Sequence, residues 1–385
     1  MELTDRLPCR GHERPRIVHV VVAGDIGGAE RLLVDLAMRP NESGADHCVA
    51  LMTPNAQLRE MIRAAGIRVR DRGPVREDPL AYLWRTFGPT DIAWLCQILA
   101  DEHATIVHVH TYASHILGVR AGLRLQLPIL RTEHGVHHYV DPSCALFRQW
   151  ALRKTDRVAA VSDYVRRFVE ERAPFAGPKL QVIRNGVDAA YFHPQDPPGK
   201  GPFTFAIACR LEPWKQVDLA IRAVARVPGI GLRIVGSGSA SAGLQSLARE
   251  LRVQDRVCFL GYQRDPRPVI ALSDAAINSS RDEPLGLSVL EALAMQRPVV
   301  AFAGGGIPEI VQDGRTGWLV RETSVEALAA RLAEASASRE HAAVLGANAR
   351  RFIERECRIE TMCRAYAEIY AELGGAVSKG VRSAN

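Results

Sequence analysis

Residues 16–39 read RIVHVVVAGDIGGAERLLVDLAMR. A β-branched run closes on Gly24, a short turn carries Gly27 and Gly28, and an amphipathic stretch follows. That is strand, glycine turn, helix. The alternation recurs in HCVALMT (47–53) with AQLREMIRAAG (56–66), in TIVHVHT (105–111) with SHILGVRAGLRL (114–125), and in RVAAVSD (157–163) with YVRRFVEERA (164–173). Strands that are continuously apolar and alternate with helices belong to a parallel sheet covered on both faces. The first half is therefore expected to be a doubly wound α/β unit.

Residues 193–202, HPQDPPGKGP, are dense in Pro and Gly and cannot build a core, which marks a linker. The pattern then restarts: FTFAIACR (203–210), VDLAIRAVARV (217–227), LRIVGSG (232–238), LQSLARELRV (244–253), RVCFLGY (256–262), DAAINSS (274–280), LSVLEALAM (287–295) and PVVAFAG (298–304). The boundaries expected are residues 1–196 and 197–357, both α/β and Rossmann-like, with a helix over about 358–375 packing back on the first unit. Two such units bring the carboxyl ends of their strands to one cleft, where open α/β sheets bind ligands.

Composition excludes several classes. The chain has 385 residues, 47% of them hydrophobic, and 49 Lys and Arg against 43 Asp and Glu, a net charge of only +6. No concentrated basic face accompanies a nucleic-acid motif. Arg59, Arg63, Arg68, Arg70, Arg72 and Arg76 cluster locally, near Trp84, Phe87 and Trp94. They read as a solvated face or as a peripheral contact with an anionic lipid or acceptor. Eight cysteines are scattered without a Cys-x-x-Cys pair, as in a reducing compartment. The N-terminal MELTDRLPCRGHERPR has no apolar signal run, and no stretch is long enough to span a bilayer. A cytoplasmic protein is expected, with the inner membrane face as its one candidate surface.

The chemistry concentrates in residues 279–320, SSRDEPLGLSVLEALAMQRPVVAFAGGGIPEIVQDGRTGWLV. A strand ends, a polar loop carries Asp282 and Glu283, and a helix starts near Gly286 with Glu291 inside it. Backbone N–H groups at such a helix start suit a diphosphate, and two separated carboxylates suit two sets of sugar hydroxyls. Arg210 and Lys215 in ACRLEPWKQVD supply two cations beside another helix start, unless one of them merely pairs with Glu212.

With these residues in place, the chain resembles the retaining GT-B glycosyltransferases called family 4. They share a Glu-x7-Glu pair, a Gly-Gly-x-Pro-Glu turn and a Thr-Gly-aliphatic strand. The resemblance implies two Rossmann-like domains facing across a cleft. It assigns Glu283 to hydroxyls of the transferred sugar, Glu291 to the ribose, Arg210 and Lys215 to the diphosphate, and Leu285, Gly286 and Leu287 to donor binding, with Glu283, His134, Arg210 and Lys215 as the catalytic set. Gly27 and Gly28 would lie against the donor, although a structural turn gives the same letters. His134 in Thr-Glu-His-Gly matches the histidine facing the donor sugar, with His110 nearby; His137 and His138 fall to the acceptor side or the surface. Asn185–Asp188 matches a segment that closes the first domain.

The sequence departs from the commonest pattern at Pro284–Leu285, at Gln216 and at Gln296, the last two standing where glycine is frequent. A metal site at His108 and His110 is disfavoured, because no Cys or carboxylate completes a ligand set. The resemblance implies a hexose-type nucleotide sugar as donor, UDP-sugars being commonest, a saccharide or lipid-linked saccharide as acceptor, no cofactor and no metal. Nucleotide-sugar 2-epimerases and non-catalytic binding proteins of the same architecture are the alternatives.

Overall fold

The structure is a computed structural model that describes residues 14–24, 26–75, 84–195, 199 and 201–380, with backbone alone beyond Gly375. Two all-parallel sheets organise it. The first has seven strands in the order β3-β2-β1-β4-β5-β6-β7: β1 Arg16–Val21, β2 Asp46–Leu51, β3 Arg68–Asp71, β4 Ile106–Val109, β5 Ile129–Glu133, β6 Arg157–Ala160 and β7 Leu180–Val182. The second has six in the order β10-β9-β8-β11-β12-β13: β8 Phe203–Ala208, β9 Ile230–Val235, β10 Val257–Phe259, β11 Ala275–Asn278, β12 Val299–Phe302 and β13 Gly317–Val320.

Both orders reverse beside their first strand, between β1 and β4 and between β8 and β11. Such switch points open a crevice at the carboxyl ends of the strands. The helices leading into that crevice are α1 Gly28–Ala37, α2 Ala56–Ala64, α3 Thr90–Asp101 and α4 Tyr112–Leu125. After β5 come the single turn α5 His137–Val140, α6 Ala145–Lys154 and α7 Asp163–Arg172. The second sheet carries α8 Val217–Arg226, α9 Ser241–Glu250, α10 Arg267–Ala271, α11 Leu287–Ala294, α12 Val325–Ser336 and α13 Arg339–Glu356, and α14 Ile359–Gly380 follows.

The central strands are apolar because helices cover both of their faces. Val18, Val20, Val107 and Val109 pack under α3 and α4, while Ile17, Ile106 and Leu130 pack under α14. So α14 returns to the first sheet. Its Tyr370 hydroxyl meets His108 Nδ1 at 2.9 Å, and Tyr366 meets Thr132 Oγ1 at 2.9 Å.

One apolar cluster continues from the first unit into the second, joining Val161, Val165 and Tyr139 to Leu285, Val289 and Ile307. Polar contacts reinforce it. Ser162 Oγ donates to the Pro284 carbonyl (2.6 Å), and Glu309 accepts from the backbone N–H groups of Asp163 (3.0 Å) and Tyr164 (2.8 Å) at the start of α7. A carboxylate at a helix N-terminus is favoured by both hydrogen bonding and the helix dipole.

The arginine-rich stretch faces solvent, with Arg63, Arg68 and Arg70 exposed, but most of its charges are paired. Residues 68–71 form the edge strand β3, and Arg68 and Arg70 both pair with the buried Glu102, Arg59 with Asp71, and Arg72 with Asp91. Trp94 is half-buried against the Arg72 guanidinium, and Phe87 packs on Phe147. Arg76 lies outside the described residues. No helix among the described residues is long and apolar enough to cross a membrane.

Candidate functional site

The loop between β11 and α11 is built by glycines. Gly286 caps α11 with φ +94°, and Gly305 takes φ +61°, both in the left-handed region. Carbonyl oxygens of the loop press on the segment that follows β12: an added Cβ would lie 1.9 Å from Arg281 O at Gly304, 2.1 Å from Glu283 O at Gly305 and 2.2 Å from Pro284 O at Gly306. Only glycine allows that approach. The Gly306 N–H then donates to Glu283 O (2.8 Å), which fixes the loop that presents Glu283. The Gly-Gly-x-Pro-Glu turn thus shapes this loop, while its Glu309 ties the two units together.

Lys215 Nζ donates to Glu283 Oε2 at 2.6 Å, with both side chains mostly buried. Glu212 instead accepts from Ser239 N (3.1 Å) and Ser239 Oγ (2.6 Å), so it is not the partner of Lys215. Arg210 is exposed, and its charge adds to the Ser239 hydrogen bonds in holding the Glu212 carboxyl below the usual range. Across the cleft, an added Cβ on Gly27 would stand 3.6 Å from Arg210 Cζ, one on Gly28 3.8 Å from Leu287 Cβ, and one on Gly135 3.9 Å from Pro284 Cγ. Gly27 also starts α1 through a backbone N–H to Glu30 Oε2 bond of 2.8 Å. Arg210, Lys215, Glu283 and Leu287 therefore line one side of the crevice, with Gly27, Gly28 and the end of β5 opposite.

Glu291 lies deeper, only 6% exposed on α11. Burial pushes its carboxyl up to about 7; Arg31 of α1 opposes this, while Asp35 and Asp265 add to it. Leu285 is fully buried in the cluster that joins the units, so it supports the loop from behind.

The two glutamines at positions where the resemblance expects glycine both keep a left-handed backbone, Gln216 at φ +51° and Gln296 at φ +59°. Both positions thus hold a conformation that glycine adopts freely. Gln216 bears a cost, because its Oε1 is buried without a hydrogen-bond partner.

His134 follows β5, whose Arg131 and Glu133 form a buried two-point ion pair (2.8 and 3.1 Å). Burial alone would raise the Glu133 carboxyl, but Arg131 and His138 outweigh it and hold it well below the usual carboxylate range. His138 is thus held within 3.3 Å of Glu133, where the sequence placed it on the acceptor side or surface; His137 is exposed. His110 meets His134 as expected, Nδ1 to Nε2 at 3.0 Å. The sequence did not reveal that His19 and His47 join them. Strand register does this: His19 pairs with His108 across β1 and β4, and Ile17 with His47 across β1 and β2, which puts all these histidines on one sheet face.

Nitrogens of His19, His108 and His110 lie within 4.8 Å of one another, yet all six ring nitrogens already have protein partners. Asp188 pairs with Arg39 and caps the following turn, a structural role. A cavity of about 590 Å³ lined by Arg16, Asp46, His47 and Glu102 lies at the opposite ends of the strands and holds none of the crevice residues.

Comparison with known proteins places this arrangement. Residues 190–352 match the family model described as glycosyl transferases group 1, and residues 26–191 match that of glycosyltransferase family 4. The GDP-mannose-dependent alpha-(1-6)-phosphatidylinositol monomannoside mannosyltransferase of Mycobacterium tuberculosis is 32% identical over 335 residues, 80% of this chain and 84% of that protein. The D-inositol 3-phosphate glycosyltransferase of Mycobacterium marinum is 29% identical over 343 residues, 80% of this chain and 72% of the relative. Among solved structures, HepE of Anabaena in complex with UDP and glucose superposes with a TM-score of 0.80 at 23% identity, covering 92% of this chain and 99% of that one. The two Rossmann-like units are those of the GT-B fold, and the chain is an enzyme that belongs to the group 1 glycosyltransferases of family 4, which act on nucleotide sugars.

Proposed function

We propose that the protein transfers a hexose-type sugar, with retention of configuration, from a nucleoside diphosphate sugar to a hydroxyl of a saccharide or lipid-linked saccharide. The observation that carries this reading is the Lys215–Glu283 pair beside the exposed Arg210, directly across from Gly27. When the donor enters, its diphosphate takes Lys215 from Glu283, and Arg210 and the start of α11 complete the positive cradle. Glu283, released from the ion pair, accepts hydroxyls of the sugar, and Glu291 accepts those of the ribose. His134 faces the sugar from the first unit.

In the reaction the bond from the anomeric carbon to the diphosphate oxygen breaks, and the acceptor oxygen bonds the same face of that carbon. The acceptor proton passes to the departing phosphate oxygen. Arg210 and Lys215 stabilise the charge that grows on the leaving group, so the protein's part is electrostatic and positional, and no metal is required. Closure of the two units over the donor excludes water. A UDP-sugar is the first candidate donor. GDP-mannose is the second reading, favoured by the name of the M. tuberculosis relative.

A panel of nucleotide sugars, screened by melting temperature and slow hydrolysis without added metal, tests the proposal. One donor should raise the melting temperature of the wild type and turn over, with turnover lost in Lys215→Ala. Failure of every donor to bind would overturn it.

A further inference from the structure

Four imidazoles cross the first sheet in one hydrogen-bonded line. Ser43 Oγ meets His47 Nε2 at 2.7 Å, His47 Nδ1 meets His19 Nε2 at 2.9 Å, His19 Nδ1 meets His110 Nε2 at 2.9 Å, and His110 Nδ1 meets His134 Nε2 at 3.0 Å. The line runs from the start of β2, through β1 and β4, to the loop after β5. Ser43, His19, His47 and His110 are all buried.

The Ser43 end of this line supplies a polarity. The Ser43 hydroxyl donates to the Arg39 carbonyl at 2.9 Å, and a carbonyl can only accept. With its one hydrogen on that carbonyl, Ser43 Oγ accepts from His47 Nε2. A neutral imidazole carries one N–H and one bare nitrogen. His47 Nδ1 is then bare and must accept from His19 Nε2; the same logic makes His19 Nδ1 accept from His110 Nε2, and His110 Nδ1 accept from His134 Nε2.

The rings are neutral because burial pushes all of them below the ordinary imidazole range, His47 to about 4 and His134 to about 3. The neighbouring His108 is equally neutral, and it stands outside the line, held by Tyr370 and Thr132. The charged pair Arg131–Glu133 flanks the His134 end, where Arg131 disfavours an imidazolium and Glu133 opposes it more weakly.

We propose that Ser43, His47, His19 and His110 are positioning residues that lock His134 as its Nε2–H tautomer, so that a bare Nδ1 acts at the crevice as a hydrogen-bond acceptor for a hydroxyl of the transferred sugar. Nδ1 of His134 has no hydrogen bond among the described residues. This rests on the placement of His134 against the donor given under Proposed function. The lock sets specificity: a donor with a hydroxyl at that position satisfies Nδ1, whereas one with fluorine there leaves two acceptors facing each other.

The test is the nitrogen spectrum of the full chain labelled with 15N-histidine, recorded without ligand. Two-bond 15N–1H correlations distinguish a protonated from a bare ring nitrogen. All four rings should show hydrogen on Nε2 and a bare Nδ1; hydrogen on His134 Nδ1 would overturn the lock, whether or not any variant folds. Ser43→Ala removes the anchor, so the His134 pattern should move toward a mixture of tautomers and kcat/KM for the donor should fall roughly tenfold, the effect of one misplaced hydrogen bond. Ser43→Thr, which keeps the hydroxyl, should restore both. An unchanged His134 pattern in Ser43→Ala would also overturn the proposal. Because the spectrum needs no donor, correct tautomers in a protein that binds no nucleotide sugar would refute the transfer reading and leave the lock standing.

Discussion

Replacing Glu291 by glutamine should stabilise the free protein at pH 8 while abolishing donor binding. The carboxyl is 6% exposed, and burial moves it from its ordinary 4.5 to about 7. A folded-state pKa above the unfolded one means that the folded chain binds the proton more tightly. This stability is fully present below the unfolded value and is lost as pH rises through about 7. At about 1.4 kcal/mol per pH unit, ionising Glu291 costs the folded state roughly 3 kcal/mol at pH 8 and about 1 kcal/mol or less at pH 5. Glutamine is neutral at both. Urea denaturation of wild type and Glu291→Gln at the two pH values should therefore show a gain of about 1–3 kcal/mol at pH 8, the lower figure allowing for the amide's own hydrogen-bond needs, and little gain at pH 5. The same variant should lose the melting-temperature rise caused by the nucleotide sugar. Equal gains at both pH values, or none at pH 8, would refute the argument that Glu291 is held there at an electrostatic cost for the sake of the ligand.

Lys215→Met should lower kcat by about 10²- to 10³-fold, the usual effect of removing one preorganised charge from a developing anion, measured as release of nucleoside diphosphate at saturating donor. Gly305→Ala must take φ +61° and put a Cβ 2.1 Å from Glu283 O, so it should displace the Glu283 loop and abolish donor binding, with the second unit otherwise folded by circular dichroism. Gln216→Gly should raise stability by about 1 kcal/mol, since the position is already left-handed and the glutamine oxygen is buried unpaired; a loss in chemical denaturation would contradict that account.

The alternation of apolar strand and helix was legible because parallel strands covered on both faces need no polar alternation, as RIVHVV and FTFAIA show. β3 escaped that reading because RVRD lies at a sheet edge, where its arginines reach outward to Glu102, and the same letters pass for a charge cluster. The carboxylates and cations of the crevice were legible through their local context. Their pairing was not, since Lys215 and Glu283 lie 68 positions apart and Glu212 was nearer in sequence. The histidine line was hidden for the same reason: His19 and His47 sit 28 positions apart, and only the β1–β2 register makes them neighbours. The three consecutive glycines after β12 were visible as a turn, but their function as the floor beneath Glu283 appears only when the carbonyls pressing on them are seen.

The central claim, retaining cleavage of a nucleotide sugar in this crevice, is tested most directly by proton NMR of the sugar released during slow hydrolysis of the donor. The account predicts that the first sugar to appear has the same anomeric configuration as the donor, before mutarotation mixes the forms, and that Glu283→Gln releases none. A first-formed sugar of the opposite configuration would contradict it.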